Sequence, residues 1–139
     1  MIERVWLKSY PAGIPADIDI TQYNSVLDLF DETIRKFANK PAFSNFGENL
    51  SFAHLDEMSQ NFAGFLQKLR GMNKGDRVAI MMPNLLQYPV VLFGILRAGM
   101  TVVNINPLYT ARELESQLKD SGAKAIIILE NFASTLQKV

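Results

Sequence analysis

Residues 77–129 read RVAIMMPNLLQYPVVLFGILRAGMTVVNINPLYTARELESQLKDSGAKAIIIL. Three short apolar runs, at 77–82, 101–105 and 125–129, alternate with two longer runs at helical spacing, 88–97 and 111–120. That is a β-α-β-α-β cadence. Gly75-Asp76 turns into the first strand, and Gly99 and Gly122 supply left-handed ends for the two helices. Thr110 with Glu113 forms a capping box, each side chain reaching a backbone N–H that the helix leaves free. Val102-Val103 and Ile126-Ile127-Ile128 lack polar alternation, which suits parallel strands covered on both faces. The fold class is α/β with a parallel-sheet unit, and the pattern leaves strand order open.

Upstream the rhythm changes. Residues 1–24 carry Pro11, Gly13 and Pro15 among polar neighbours and read as an extended, irregular arm anchored by Trp6 and Tyr10. Ser25 opens a helix with Asp28 at the capping spacing; Val26, Phe30, Ile34 and Phe37 follow on one face, and Pro41 closes it. A hairpin comes next, with strands at 42–46 and 50–52 and Gly47-Glu48-Asn49 as its turn. From 53 to 70, Leu55, Met58, Phe62, Phe65, Leu66 and Leu69 form one stripe, stopped by Gly71. A further helix-like pattern spans 132–139. The chain therefore divides into an arm, 1–24, and an α/β portion, 25–139.

Composition narrows the function. At 139 residues the chain fits one domain able to bury its own core, and Lys plus Arg balances Asp plus Glu at 14 each. No basic stripe marks a nucleic-acid binder. With no Cys there is no disulfide framework, Cys-type zinc site or thiol nucleophile, and a cytoplasmic address is compatible. Met1-Ile2-Glu3-Arg4 does not open a secretion signal. The run 85–103 has a single charge, Arg97, but Pro89 and Gly99 interrupt it, so it reads as two buried elements and not a membrane span.

A phosphate cradle needs a glycine loop between strand and helix, where backbone N–H groups approach phosphate oxygens. Neither crossover has one: the strands lead into Met82-Pro83-Asn84 and Asn106-Pro107-Leu108-Tyr109, and proline removes donors. Asn84, Asn106, Tyr109 and Glu130 gather at the carboxyl edge of the strands, where open α/β sheets bind ligands. Turn chemistry accounts for the same residue types, with Asn84 capping a helix, Asn106-Pro107 turning and Tyr109 packing. His54 is the single histidine and reads as a surface or capping residue. Glu113 and Glu115 point to different helix faces. Met81-Met82 and the run 85–96 suit core packing better than an acyl pocket. An arm contact with a membrane through Arg4, Trp6, Lys8 and Tyr10 lacks a helical face, because Pro11 cuts it short. No catalytic, cofactor-binding or metal-ligating residue emerges.

Leu50-Ser51-Phe52-Ala53-His54-Leu55 resembles the first core motif of the adenylate-forming enzyme superfamily. Leu96-Arg97-Ala98-Gly99, leading into residues 101–106, resembles the second. Residues 74–89, then Asn106-Pro107-Leu108-Tyr109-Thr110 and Arg112-Glu113-Leu114-Glu115, resemble the bacterial long-chain fatty-acid CoA ligases, and the likeness runs along the whole chain. Phe52, Arg97 and Ala111 depart mildly from the Tyr, Lys and Pro usual there.

The resemblance implies the N-terminal part of a long enzyme that joins a fatty acid to AMP with ATP and Mg2+, then passes the acyl group to coenzyme A. In that family the phosphate loop, the ribose and metal carboxylates and the catalytic lysine all lie beyond a segment like this one, so none is carried over. The implied partners are the rest of the polypeptide, a long-chain fatty acid, a second copy in a homodimer and the inner membrane as a peripheral contact. Two alternatives are a free-standing, non-catalytic α/β binding module and a medium-chain or aromatic-acid CoA ligase segment.

Overall fold

The computed structural model describes residues 3–139; the reading of Met1 and Ile2 as no part of a secretion signal lies outside them. Its centre is β3 (Arg77–Met81), flanked in parallel by β4 (Thr101–Asn104) and β5 (Ala125–Ile128) in the order β4-β3-β5. Alternation along β3 sends side chains to opposite faces. Val78, Ile80 and Met82 join Leu66, Val91 and Ile95 on one side, while Ala79 and Met81 join Ile105 and Leu114 on the other. Coverage on both faces thus belongs to β3; β4 and β5 are edge strands and only half-buried, contrary to the even coverage expected of all three.

The helices follow from that arrangement. α2 (Phe52–Lys68) and α3 (Gln87–Arg97) pack on the Val78–Ile80 face, and α4 (Ala111–Ser121) on the opposite face. Pro89 sits in the first turn of α3, where its missing N–H costs no helix bond. At its end Gly99 takes φ 76° and Met100 N–H donates to Ile95 O at 3.0 Å, closing the helix as the glycine foretold. The Thr110–Glu113 capping box is present in full, Thr110 N–H donating to Glu113 Oε2 at 2.8 Å. After β5 a 3-10 turn at Glu130–Phe132 leads into α5 (Ala133–Leu136).

Several upstream elements correct the expectation. The arm begins with a 3-10 turn, Val5–Ser9, and Trp6 and Tyr10 are exposed, so neither anchors it. Helix α1 (Val26–Phe37) is capped as expected, Ser25 Oγ accepting Asp28 N–H at 3.0 Å, but it ends at Phe37 and Pro41 already opens β1 (Pro41–Asn45). The hairpin partner β2 (Glu48–Ser51) starts earlier than expected, because the turn is Phe46-Gly47, with φ of 51° and 86°. Two consecutive left-handed residues match the twist of a two-residue hairpin loop, and Gly47 makes the second nearly free. In α2 the buried positions are Leu55, Ser59, Ala63 and Leu66, whereas Met58 and Phe65 are exposed. The helix ends at Lys68, so Gly71, although left-handed, lies in the turn beyond the cap Leu69.

The shift of the buried face in α2 has a packing cause. Helix α3 crosses at Gly94, which lies so close to α2 that small residues are needed there. A second cluster joins α1, the hairpin, α2 and α3 through Phe30, Leu50, Leu55 and Val90, with the Phe30 and Phe93 rings stacked at 3.7 Å.

Candidate functional site

The carboxyl ends of β3, β4 and β5 define the one edge where the sequence collected polar groups. The ladder continues one step past the strands, Ile105 N–H donating to Ile80 O at 2.9 Å and Leu129 N–H to Met81 O at 3.2 Å. The loops holding Asn84, Asn106 and Glu130 therefore leave the sheet at one level. Asn106 makes its expected turn, its Oδ1 accepting Leu108 N–H at 3.0 Å, and Tyr109 packs against the core on the α4 side. Asn84 does not cap a helix. The N-cap of α3 is Leu86, with no side-chain bond, and Asn84 instead offers its carbonyl to Asn45 Nδ2 at 2.8 Å, tying the hairpin to this edge. Glu130 is exposed at the start of the 3-10 turn.

The network most developed at this edge was not singled out in the sequence. Tyr88 donates its hydroxyl to Asn104 Oδ1 at 2.9 Å, and Gln117 Nε2 donates to the Asn104 carbonyl at 3.0 Å. Asn104 thus links α3 and α4 across the end of β4. Gln117 Oε1 is buried and has no partner among the described residues. The signal available was slight: a Tyr in the first turn of α3 and a Gln on α4, each too ordinary to mark a network. Beside Tyr88, Phe43, Asn45, Leu85 and Leu86 line a cleft of about 320 Å³ between the hairpin and the loop after β3.

Triphosphate and Mg2+ make a specific demand on such an edge, and these residues do not fit it. Pro83 and Pro107 stand where a cradle would present N–H donors, and no glycine lies between Met82 and Gly94 or between Thr101 and Gly122. Among the described residues no three His, Cys, Asp or Glu side chains converge as a metal site. His54 is exposed in the first turn of α2, where its backbone N–H donates to Ser51 Oγ at 3.2 Å; the cap is Ser51. Glu113 is committed to Thr110, whose N–H and then hydroxyl hold its carboxyl below the usual range.

The best-connected charge lies away from the edge. Arg97, at the end of α3 and largely buried, donates to Asp56 at 2.5 Å and to Asp31 at 3.1 Å, and stands over the Phe30 ring at 5.3 Å. One guanidinium thereby joins α1, α2 and α3. Both bonds leave one terminal nitrogen, Nη2, while Nε is buried with no partner among the described residues. This is a brace with both acids already engaged, not an assembled acid–base pair.

A family profile described as AMP-binding enzyme matches residues 30–139. The chain belongs to the AMP-binding enzyme family. Over 138 residues, 99% of its length, it is 59% identical to the long-chain-fatty-acid--CoA ligase of Yersinia pestis. It is 60% identical over the same length to that of Salmonella typhimurium. It spans about a quarter of the length of these curated relatives, 25% in each. A benzoate CoA ligase from Burkholderia xenovorans LB400 shares the fold, with a TM-score of 0.74 at 24% identity over 79% of this chain and 22% of that one. The α/β arrangement expected from the cadence is therefore that of AMP-binding enzymes, and the resemblance drawn from residues 50–55, 74–89 and 96–106 is upheld.

Proposed function

We propose that this chain is the scaffold-forming N-terminal segment of an ATP-dependent long-chain fatty-acid CoA ligase. The parent reaction converts fatty acid, ATP and CoA to acyl-CoA, AMP and pyrophosphate. The observation that carries the proposal is identity near 60% to long-chain ligases along 99% of the chain. The edge geometry supports a scaffolding role: its prolines supply no phosphate donors, and its hydrogen bonds knit hairpin, α3, β4 and α4 together. Stabilising charge on a transferring phosphoryl group takes donors, cations and a metal held ready in advance. On this reading residues 1–24 are an arm, residues 25–139 the scaffold, and the groups that run the chemistry belong to further polypeptide. The partners are that polypeptide, the fatty acid and, through the half-buried edge strands, a second copy. The cytoplasmic address belongs to the same proposal as the ligase parentage. Among the described residues no helix is long and apolar enough to cross a membrane.

The test is ATP–pyrophosphate exchange with palmitate, run on the 139-residue chain and on a polypeptide of the relatives' full length that begins with it. Exchange from the longer protein and none from the chain is expected. Turnover clearly above blank from the pure chain would refute the scaffolding role. A preference for octanoate or benzoate over palmitate in the longer protein would shift the substrate class, and a stop codon directly after Val139 would favour a free-standing module.

A further inference from the structure

We infer that Ile20 is the knob of a strap that closes the apolar groove between α1 and the hairpin. The groove, about 230 Å³, runs between Val26 and Leu29 of α1 and Ala42 and Phe43 of β1, and the stacked rings of Phe30 and Phe93 share its lining. A hollow of that size takes a side chain or two, whereas a partner helix about 10 Å across does not fit it. Leu29 marks where α1 lacks an ordinary partner. The residue before an N-cap commonly packs on the fourth helical residue, but here that position is Asn24, whose N–H donates to Asp28 Oδ2 at 3.1 Å, and Leu29 stays 45% exposed.

The chain just upstream carries the missing apolar group. Asp19 accepts the Thr21 N–H at 2.8 Å and the Thr21 hydroxyl at 2.6 Å, and the turn so made holds Ile20 outward, 86% exposed. Ile20 precedes Val26, the first groove residue in the chain, by six positions, a reach of at most about 20 Å. The Arg4–Asp17 pair at 2.7 Å closes the rest of the arm on itself, so residues 18–25 are the moving piece and Ile18 stands at its fixed end. The structure shows the strap open. Closing it takes Ile20, Leu29 and Phe43 out of water and orders a short tether that the Asp19 turn and the Asn24–Asp28 bond have already restricted. The two effects are of similar size, so both positions are populated and the strap is a switch. Tethering gives Ile20 an effective concentration that a free ligand or a second copy does not have, and either must displace it to enter.

Nuclear Overhauser spectroscopy on the chain, with isoleucine methyls and phenylalanine rings labelled, tests this. Contacts from the Ile20 methyls to the Phe43 or Phe93 ring are expected, and a mixture of differently labelled samples separates contacts within one chain from contacts between copies. Ile20→Ser, on an exposed turn, should raise uptake of an apolar fluorescent dye about threefold, the factor for a groove closed about two-thirds of the time. A general surface effect would lower uptake, since the variant exposes less apolar area. Ile18→Ser should leave uptake unchanged, and circular dichroism checks the fold of both. Absence of any contact from Ile20 to those rings, contacts that pass only between copies, dye uptake indifferent to Ile20→Ser, or an equal rise in Ile18→Ser would each overturn the strap. These readouts need no catalytic activity, so they succeed or fail apart from the ligase reading.

Discussion

Gly94 of α3 and Phe62 of α2 are packed so closely that a Cβ added to Gly94 would lie 2.6 Å from Phe62 Cδ1 and 3.1 Å from the Ser59 carbonyl. The helix crossing is set by the absence of one methyl group. Ser59, fully buried, turns its hydroxyl back to the Asp56 carbonyl at 3.0 Å and so presents no unsatisfied group at the contact.

Gly94→Ala should therefore destabilise the chain by about 1–3 kcal/mol, although alanine is the better helix former, because the ring and a backbone carbonyl must move apart. Thermal unfolding followed by circular dichroism measures it. An unchanged or raised Tm would show that the crossing relaxes freely.

Gly99 should fail for a different reason. Its φ of 76° is hard for a branched residue, and an added Cβ would also press on Lys74 Cγ at 3.0 Å. Gly99→Val is expected to cost on the order of 1–2 kcal/mol or more, and Gly99→Asn, which tolerates the left-handed region, less. Chemical denaturation of the pair gives the comparison; equal stability of the two variants would count against a backbone origin.

The Arg97 brace predicts a graded series. Arg97→Ala removes two charge-assisted bonds and the contact over Phe30, and should cost about 1–3 kcal/mol, reduced from the fully buried case because both acids keep some water. Asp31→Asn should cost less than Asp56→Asn, since Asp31 is half-exposed and its bond is the longer. Arg97→Lys should restore only part of the loss. Urea midpoints would rank the variants, and full recovery in Arg97→Lys would show that charge alone, without the guanidinium over Phe30, carries the brace.

Acid should weaken the fold, and two of the carboxyls through which it acts serve the parallel-sheet unit. Asp76 is held below the usual carboxylate range first by the Lys124 side chain and then by Asn73 N–H. Glu113 is held below it by the Thr110 N–H and then the Thr110 hydroxyl. A folded-state pKa below the unfolded one means stabilisation that is present above the unfolded values, roughly 3.9 and 4.3, and is lost as pH falls through the folded ones. Tm should accordingly hold at neutral pH and drop below about pH 4, with a shallower drop in Asp76→Asn and Glu113→Gln. Equal slopes in parent and variants would remove both groups from the account.

Legibility followed the range of the interaction. The Thr110–Glu113 box, the Ser25 cap and the Gly99 and Gly122 stops each involve residues within one helical turn, so their spacing alone announces them. The hairpin was placed correctly but its turn was not. Phe46 holds a φ of 51° that its side chain does not favour, and only pairing of β1 with β2 shows that Phe46-Gly47 makes the turn. The burial of Ser59 and Ala63 in place of Met58 and Phe65 depended on where α3 crosses, which no periodicity within α2 contains. At the candidate edge, Asn106 and Tyr109 behaved as their own turn dictated, while Asn84 was drawn to Asn45, 39 residues away.

By itself the sequence determined the elements, the parallel α/β class and the family likeness, because hydrophobic period, caps and turn residues act over a few neighbours. Tertiary structure alone decided the order β4-β3-β5, the joining of three helices by Arg97 and the Tyr88–Asn104–Gln117 link. Each of these depends on groups distant in the chain meeting in space. Which groups meet is settled by how whole faces pack, and no local pattern encodes it.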